Sequence, residues 1–189
     1  LLYEQWNPDR PVALGAYDPE DVRSTLLFTD AVVHEKGFSL GGMNYRALSL
    51  KMLPDQTFAS MAAALRDLPF ASRLFLTIHV PDQQKELESL QTQRRLAYAM
   101  ARGKKTGVSD LESEAKFQDI ETLLAELIAQ GEKVFQVSFN IILKAKSQEE
   151  LEGQVSQTLS LVRELSGAEA MEEGLAAFDI FSEISIPNA

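Results

Sequence analysis

The stretch Val134-Phe135-Gln136-Val137-Ser138-Phe139-Asn140-Ile141-Ile142-Leu143-Lys144-Ala145-Lys146, followed at once by Ser147-Gln148-Glu149-Glu150-Leu151, decides the fold. Val137, Phe139 and Ile141 alternate with polar neighbours, which is the two-residue period of a strand. Ser147 then precedes Glu150 by three positions, the spacing at which a serine hydroxyl caps a new helix and a glutamate answers it. Leu151, Val155, Leu159 and Val162 continue at helical spacing until Gly167. Ala168–Glu172 reads as a short strand returning to the sheet. The C-terminal part is therefore a β-α-β unit, closed by a helix built on Leu175, Ala176, Phe178, Ile180 and Phe181 and ended before Pro187.

Working upstream, the same grammar recurs. Leu26, Phe28 and Ala31–Val33, then Phe38 and Leu40, flank the turn Glu35-Lys36-Gly37. Leu48, Leu50 and Met52 alternate with Ser49 and Lys51 until Pro54 ends the strand. Gly41-Gly42 within this pattern predicts a bulge or a close backbone approach. Phe58, Met61, Ala62, Leu65 and Leu68 lie on one helical face that stops at Pro69, and Ser72–Val80 predicts a central strand closed by Pro81. The first two strands are joined by a turn too short for a parallel crossover. The expected class is α+β: an antiparallel sheet of split β-α-β (ferredoxin-like) halves, with helices on one face and an inserted helical hairpin.

That hairpin occupies about residues 82–131 of a single domain covering 24–189, preceded by an extended arm over 1–23. The arm holds Trp6, the single tryptophan, whose expected role is to anchor the arm to the domain. The first inserted helix runs from about Asp82 to Arg102 and ends basic; the second opens on Ser109-Asp110-Leu111-Glu112, carries Phe117, Ile120, Leu124, Leu127 and Ile128, and stops at Gly131. Lys85 to Lys105 contains six basic and two acidic residues, and Asp110 to Lys133 seven acidic and two basic. Antiparallel pairing of the two helices accounts for this asymmetry. A sharper reading makes Arg94, Arg95, Lys104 and Lys105 a partner-docking patch.

Composition excludes much chemistry. With 18 Lys and Arg against 28 Asp and Glu, the net charge of −10 argues against sequence-independent nucleic-acid binding. No cysteine is present, so disulfides, thiolate metal sites and a cysteine nucleophile are ruled out. The two histidines, His34 and His79, have no carboxylates at metal-ligand spacing, so no metal site is expected. His79, between Ile78 and Val80, reads as a strand histidine. No apolar run approaches the ~20 residues of a membrane span. Carboxylates are plentiful but fall on helix faces and caps, which speaks against a hydrolase built on them. The absence of an initiator methionine and the Ile186-Pro187-Asn188-Ala189 ending lead us to expect an excerpt of a longer protein.

One family matches this order of elements. The run Gly42-Met43-Asn44-Tyr45-Arg46-Ala47-Leu48-Ser49-Leu50-Lys51-Met52-Leu53-Pro54, the strand closing at Pro81 and the polar helical insertion come in sequence. Val134–Lys146 with Ser147-Gln148-Glu149-Glu150-Leu151 follows, and then the helix into Ile184-Ser185-Ile186-Pro187-Asn188. Over most of residues 24–189 the chain resembles the N-terminal domain of the conjugation and type IV secretion ATPases, the TraC/TrbE/CagE-type proteins of the VirB family. It departs at Ile186-Pro187-Asn188, where the family has a Leu-Pro-Gly-Asn-like segment.

The resemblance implies an ATPase as the full-length protein, with its P-loop downstream. No Gly-x-x-x-x-Gly-Lys-Ser/Thr occurs in these 189 residues, so this part is expected to be non-catalytic and without a cofactor, ATP and Mg belonging to the missing domain. It further implies docking to secretion-system subunits at the inner membrane, self-association of the full-length protein, a cytoplasmic location peripheral to that membrane, and no direct nucleic-acid binding. The alternative is a ferredoxin-like small-molecule-binding regulatory module, with its site at the Gly41-Gly42 turn or at a sheet edge.

Overall fold

In a computed structural model of the chain, residues 2–10, 28–58, 60–102 and 111–185 are described. In chain order the elements are α1 (Leu2–Trp6), β1 (Ala31–His34), β2 (Gly37–Leu40), β3 (Met43–Met52), α2 (Ala63–Arg66), β4 (Ser72–His79), α3 (Gln83–Arg102), α4 (Leu111–Ala129), β5 (Gln136–Ala145), α5 (Gln148–Arg163), β6 (Glu169–Glu173) and α6 (Ala177–Ser185). The chain divides into two units, Leu1–Thr77 with Ser138–Ala189, and Ile78–Val137.

In the first unit β3 is the axis of a mixed α+β architecture with antiparallel ladders. One edge of β3 pairs with β5, from Asn44 opposite Ala145 to Ser49 opposite Asn140. Its other edge is shared: β2 takes the first part, with Phe38 opposite Tyr45, and β6 takes the rest, from Ala47 opposite Glu173 to Met52 opposite Glu169. The strand order is β1-β2-β3-β5-β4, with β6 also on β3. A register shift falls between Leu50 and Met52, so the ladder's irregularity lies there and not at Gly41-Gly42. Those two glycines, at φ +56° and +71°, form the two-residue turn between β2 and β3. Both central residues of such a turn need positive φ, which suits glycine. The expected bulge is thus a hairpin turn, although the expected close approach is present, since a Cβ on Gly41 would lie 2.6 Å from Asp9 Oδ1.

Two apolar clusters lie on opposite faces of the sheet. Leu48, Ile141, Leu143 and Ala145 pack with Leu151, Val155 and Val162 of α5 and Leu65 of α2. Tyr45, Ala47 and Ile142, on the other face, pack with Trp6, Phe38, Leu40, Ala177 and Phe181. The expectation of helices on one face is therefore corrected to helices on both. The physical reason is written in the strands: Tyr45–Leu48 of β3 and Asn140–Leu143 of β5 are each four consecutive buried residues. A strand with one wet face alternates instead. Each large side chain so buried stabilises the fold by about 1.5–3 kcal/mol.

Three further expectations change. β4 ends the sheet order rather than sitting centrally, and its Leu76 and Ile78 are 59% and 54% exposed. The pattern from Phe58 to Leu68 yields only the short α2: Ser60 takes φ +72°, which interrupts a helix, and Phe58 is exposed while Leu65 is buried. The N-terminal arm, expected to be extended, begins with the helical turn α1. Its anchor matches expectation, because Trp6 packs on Phe178 and Phe181 at centroid distances of 6.1 and 5.0 Å. Asn7, fully buried, accepts hydrogen bonds from Phe28 N and Thr29 Oγ1 at 3.0 and 3.1 Å and so ties the arm to the segment leading into β1.

The second unit is the helical hairpin. Ala97, Ile120 and Leu124 form its core, with Leu87, Leu90 and Phe117 against them. Tyr98 lies 5.5 Å from Phe117 and Arg94 reaches Glu121, a pairing in which positions ascend on α3 as they descend on α4, hence antiparallel. Asp82 Oδ1 caps α3 by accepting from Gln84 N at 3.1 Å. Gln83 closes the base: its Nε2 donates to Val134 O and its Oε1 accepts from Val134 N, at 3.0 and 2.8 Å. Gly131, at φ +67°, ends the segment after α4 as predicted.

Candidate functional site

The four cations singled out in the sequence meet different fates. Arg94 Nη1 lies 3.8 Å from Glu121 Oε1, with both side chains about half exposed, so it belongs to the seam between α3 and α4. Such a surface pair contributes about 0–1 kcal/mol. Arg95, next along α3, is exposed. Lys104 and Lys105 lie outside the described residues, as do Gly103, Gly107 and the Ser109-Asp110 start of the second capping pattern.

Beside the two arginines the hairpin presents residues that sequence reasoning passed over. Leu96, Tyr98 and Met100 are 57%, 43% and 55% exposed on α3. Leu96 and Met100 are four apart, one turn of helix, and so stand on one ridge. Their spacing was visible in the sequence, but the polar character of the helix hid it. The hairpin's own core is built by Ala97 and its partners, and Tyr98 lies against Phe117, so Leu96 and Met100 are the apolar side chains that this core leaves exposed on α3.

A second cluster is structural. Arg46, with its side chain 5% exposed, places Nε 2.7 Å from Glu172 Oε1 of β6. The contact is charge against charge and not an aligned hydrogen bond. Arg46 Nη2 donates to Gln148 Oε1 at 3.0 Å, and Gln148 Nε2 donates to Asn44 Oδ1 at 3.0 Å. Ser39 donates to the same Asn44 oxygen at 3.0 Å, and His34 Nε2 sits 2.8 Å from Ser39 Oγ. The network joins β1, β2, β3, β6 and the start of α5. A buried guanidinium tolerates burial only when it is paired, and its pairing here fixes the register of β6 on β3. His79 is exposed at the end of β4. The Gly41-Gly42 turn offers no small-molecule cradle at Gly41, where Pro8 and Asp9 fill the space.

Among the described residues no helix is long and apolar enough to cross a membrane. No individual curated protein matches the chain. The family model of the TraC protein matches residues 3–173, a span that takes in every strand of the sheet and both helices of the hairpin. The chain belongs to the TraC protein family, and its role lies in conjugation and type IV secretion.

Proposed function

We propose that the chain is a non-catalytic docking domain of a conjugative-transfer ATPase, holding that ATPase against inner-membrane channel components and neighbouring subunits. One observation carries the reading: a helical hairpin with its own core leaves Leu96 and Met100 exposed on one ridge of α3, a helix that also exposes Arg95. Methionine, arginine and aromatic residues are the side chains enriched in protein interfaces. ATP and Mg, on this reading, belong to the P-loop domain that the resemblance expects elsewhere in the protein. No direct contact with nucleic acid is proposed, in keeping with the net charge of −10. The location is cytoplasmic and peripheral, reached through partners.

The fold reading goes with it. Strands β3, β4, β5 and β6 stand in the order β6-β3-β5-β4, with α2 after the first and α5 after the third. That order supports a split β-α-β pair of the ferredoxin-like type, to which β1, β2 and the hairpin are additions.

The test is co-purification of membrane channel components with the intact protein. Leu96→Asp with Met100→Asp is expected to reduce recovery about tenfold, since truncating a central interface residue commonly weakens binding by that factor or more. Arg95→Glu should reduce it further at low salt than at high salt. Undiminished recovery by a variant with unchanged circular dichroism would overturn the docking role of this ridge.

A further inference from the structure

The first unit holds a cavity of about 170 Å³, lined by Tyr45, Ala71, Ser72, Arg73, Ile142 and Lys144. It lies on the sheet face that α6 covers over β2 and β3, at the side where β5 leads to β4. Lys144 stands directly opposite Tyr45 on the β3–β5 ladder. Among the described residues the lining carries two cations and two hydroxyls and no carboxylate, in a chain whose acidic residues outnumber its basic ones 28 to 18.

The decisive atom is Arg73 Nη1. It is wholly buried and has no hydrogen-bond partner among the described residues. Buried donors in folded proteins are almost always satisfied, and an unmet N–H on a charged group is the costly kind. No ion pair is formed by Arg73 or Lys144 among the described residues. Tyr45 is held rigidly, 1% exposed, its ring stacked on Phe38 with centroids 4.8 Å apart and planes 5° from parallel. Burial pushes its phenol above the ordinary range, with Arg73 opposing, so the hydroxyl keeps its proton and can donate. Burial likewise pushes Arg73 below its ordinary value, with Tyr45 opposing.

We propose that this cavity binds a phosphate group, with Arg73 and Lys144 supplying the charge and Tyr45 and Ser72 supplying hydroxyl donors. A guanidinium presents its N–H groups in the fork that matches phosphate oxygens. The volume is that of five or six waters at about 30 Å³ each, enough for a phosphate and far below the ~300 Å³ at which pockets begin to hold drug-sized ligands. Two cations favour a doubly charged phosphate over a singly charged carboxylate. The site is independent of the docking ridge on α3, and either can fail without the other.

The test is titration of the protein with inorganic phosphate at constant ionic strength, following the side-chain Nε–Hε resonance of Arg73 by NMR. A saturable shift is expected, with a dissociation constant on the order of a millimolar, as suits so small a ligand. Acetate should bind at least about tenfold more weakly, and Arg73→Gln and Lys144→Gln should each weaken phosphate about tenfold or more, the usual effect of losing a charged hydrogen-bond partner. Should Arg73→Gln fold poorly, Lys144→Gln carries the test with the Arg73 resonance intact. Phenyl phosphate distinguishes sources: binding as tight as phosphate places the group on a larger molecule, and exclusion places it free in solution, both in support. Phosphate also stabilises proteins by preferential exclusion, but that effect is equal in wild type and variants. No saturable shift, equal affinity for acetate, or an affinity unchanged by Lys144→Gln would overturn the proposal.

Discussion

Gly37 shows how much one hydrogen atom in place of a side chain can decide. It heads β2 at φ +143°, and a Cβ there would lie 2.2 Å from Tyr45 O and 3.0 Å from Arg46 Nη1. The carbonyl is backbone, held in the β2–β3 ladder, and cannot step aside. Gly37→Ala is expected to destabilise the protein by about 3 kcal/mol, combining the backbone penalty with an overpacked core. Gly42→Ala, at φ +71° with open space around it, should lose only the left-handed penalty of about 1–2 kcal/mol. Urea denaturation of the two variants checks the difference, which should appear in the midpoint and not in the slope. The sequence marks Gly37 as a turn residue. It does not reveal the collision, because Tyr45 comes into range only through the pairing of Phe38 with Tyr45. The same holds for the phosphate cavity, whose Arg73 and Lys144 come from β4 and β5, strands far apart in sequence.

Among elements, α5 was the most legible, and the reason is distance along the chain. Its cap is a four-residue event: Ser147 Oγ accepts from Glu150 N at 3.1 Å, and Leu151, Val155 and Val162 then follow as buried residues. Ser147→Ala should reduce stability by about 1 kcal/mol, and Ser147→Asp should restore it, both read from thermal melts. The hairpin helices were legible for the same reason, their apolar stripe of Ile120, Leu124 and Leu127 being local and buried as expected, whereas Ile128 at its end is exposed. Where local and tertiary information disagree, the sequence misleads. Phe58 to Leu68 has helical spacing, yet a left-handed Ser60 leaves only Ala63–Arg66 helical. Ser72–Val80 has the composition of a central strand, and composition is blind to which strands flank it.

For the whole molecule, the number of covered faces is the property the sequence states least directly. Buried Tyr45 and Arg46 interrupt the apolar run of β3, so the strand did not announce itself as buried on both sides. Only the identities of α5 on one face and of α1 with α6 on the other explain why four consecutive residues vanish from solvent. The α1 part of that second layer is short, and its hold depends on Asn7 as well as on Trp6. Asn7→Ala should therefore release α1 before the sheet melts. Trp6 makes the event visible: it is the chain's one tryptophan and is 5% exposed among aromatic rings. Its emission belongs to a single seam of the molecule and to no other. In wild type the red shift of that emission and the loss of circular dichroism should share one urea midpoint, and in Asn7→Ala the red shift should come first. Coincident transitions in the variant would contradict this role of Asn7. The lone indole is thus a built-in optical gauge, one that reads whether α1 is seated.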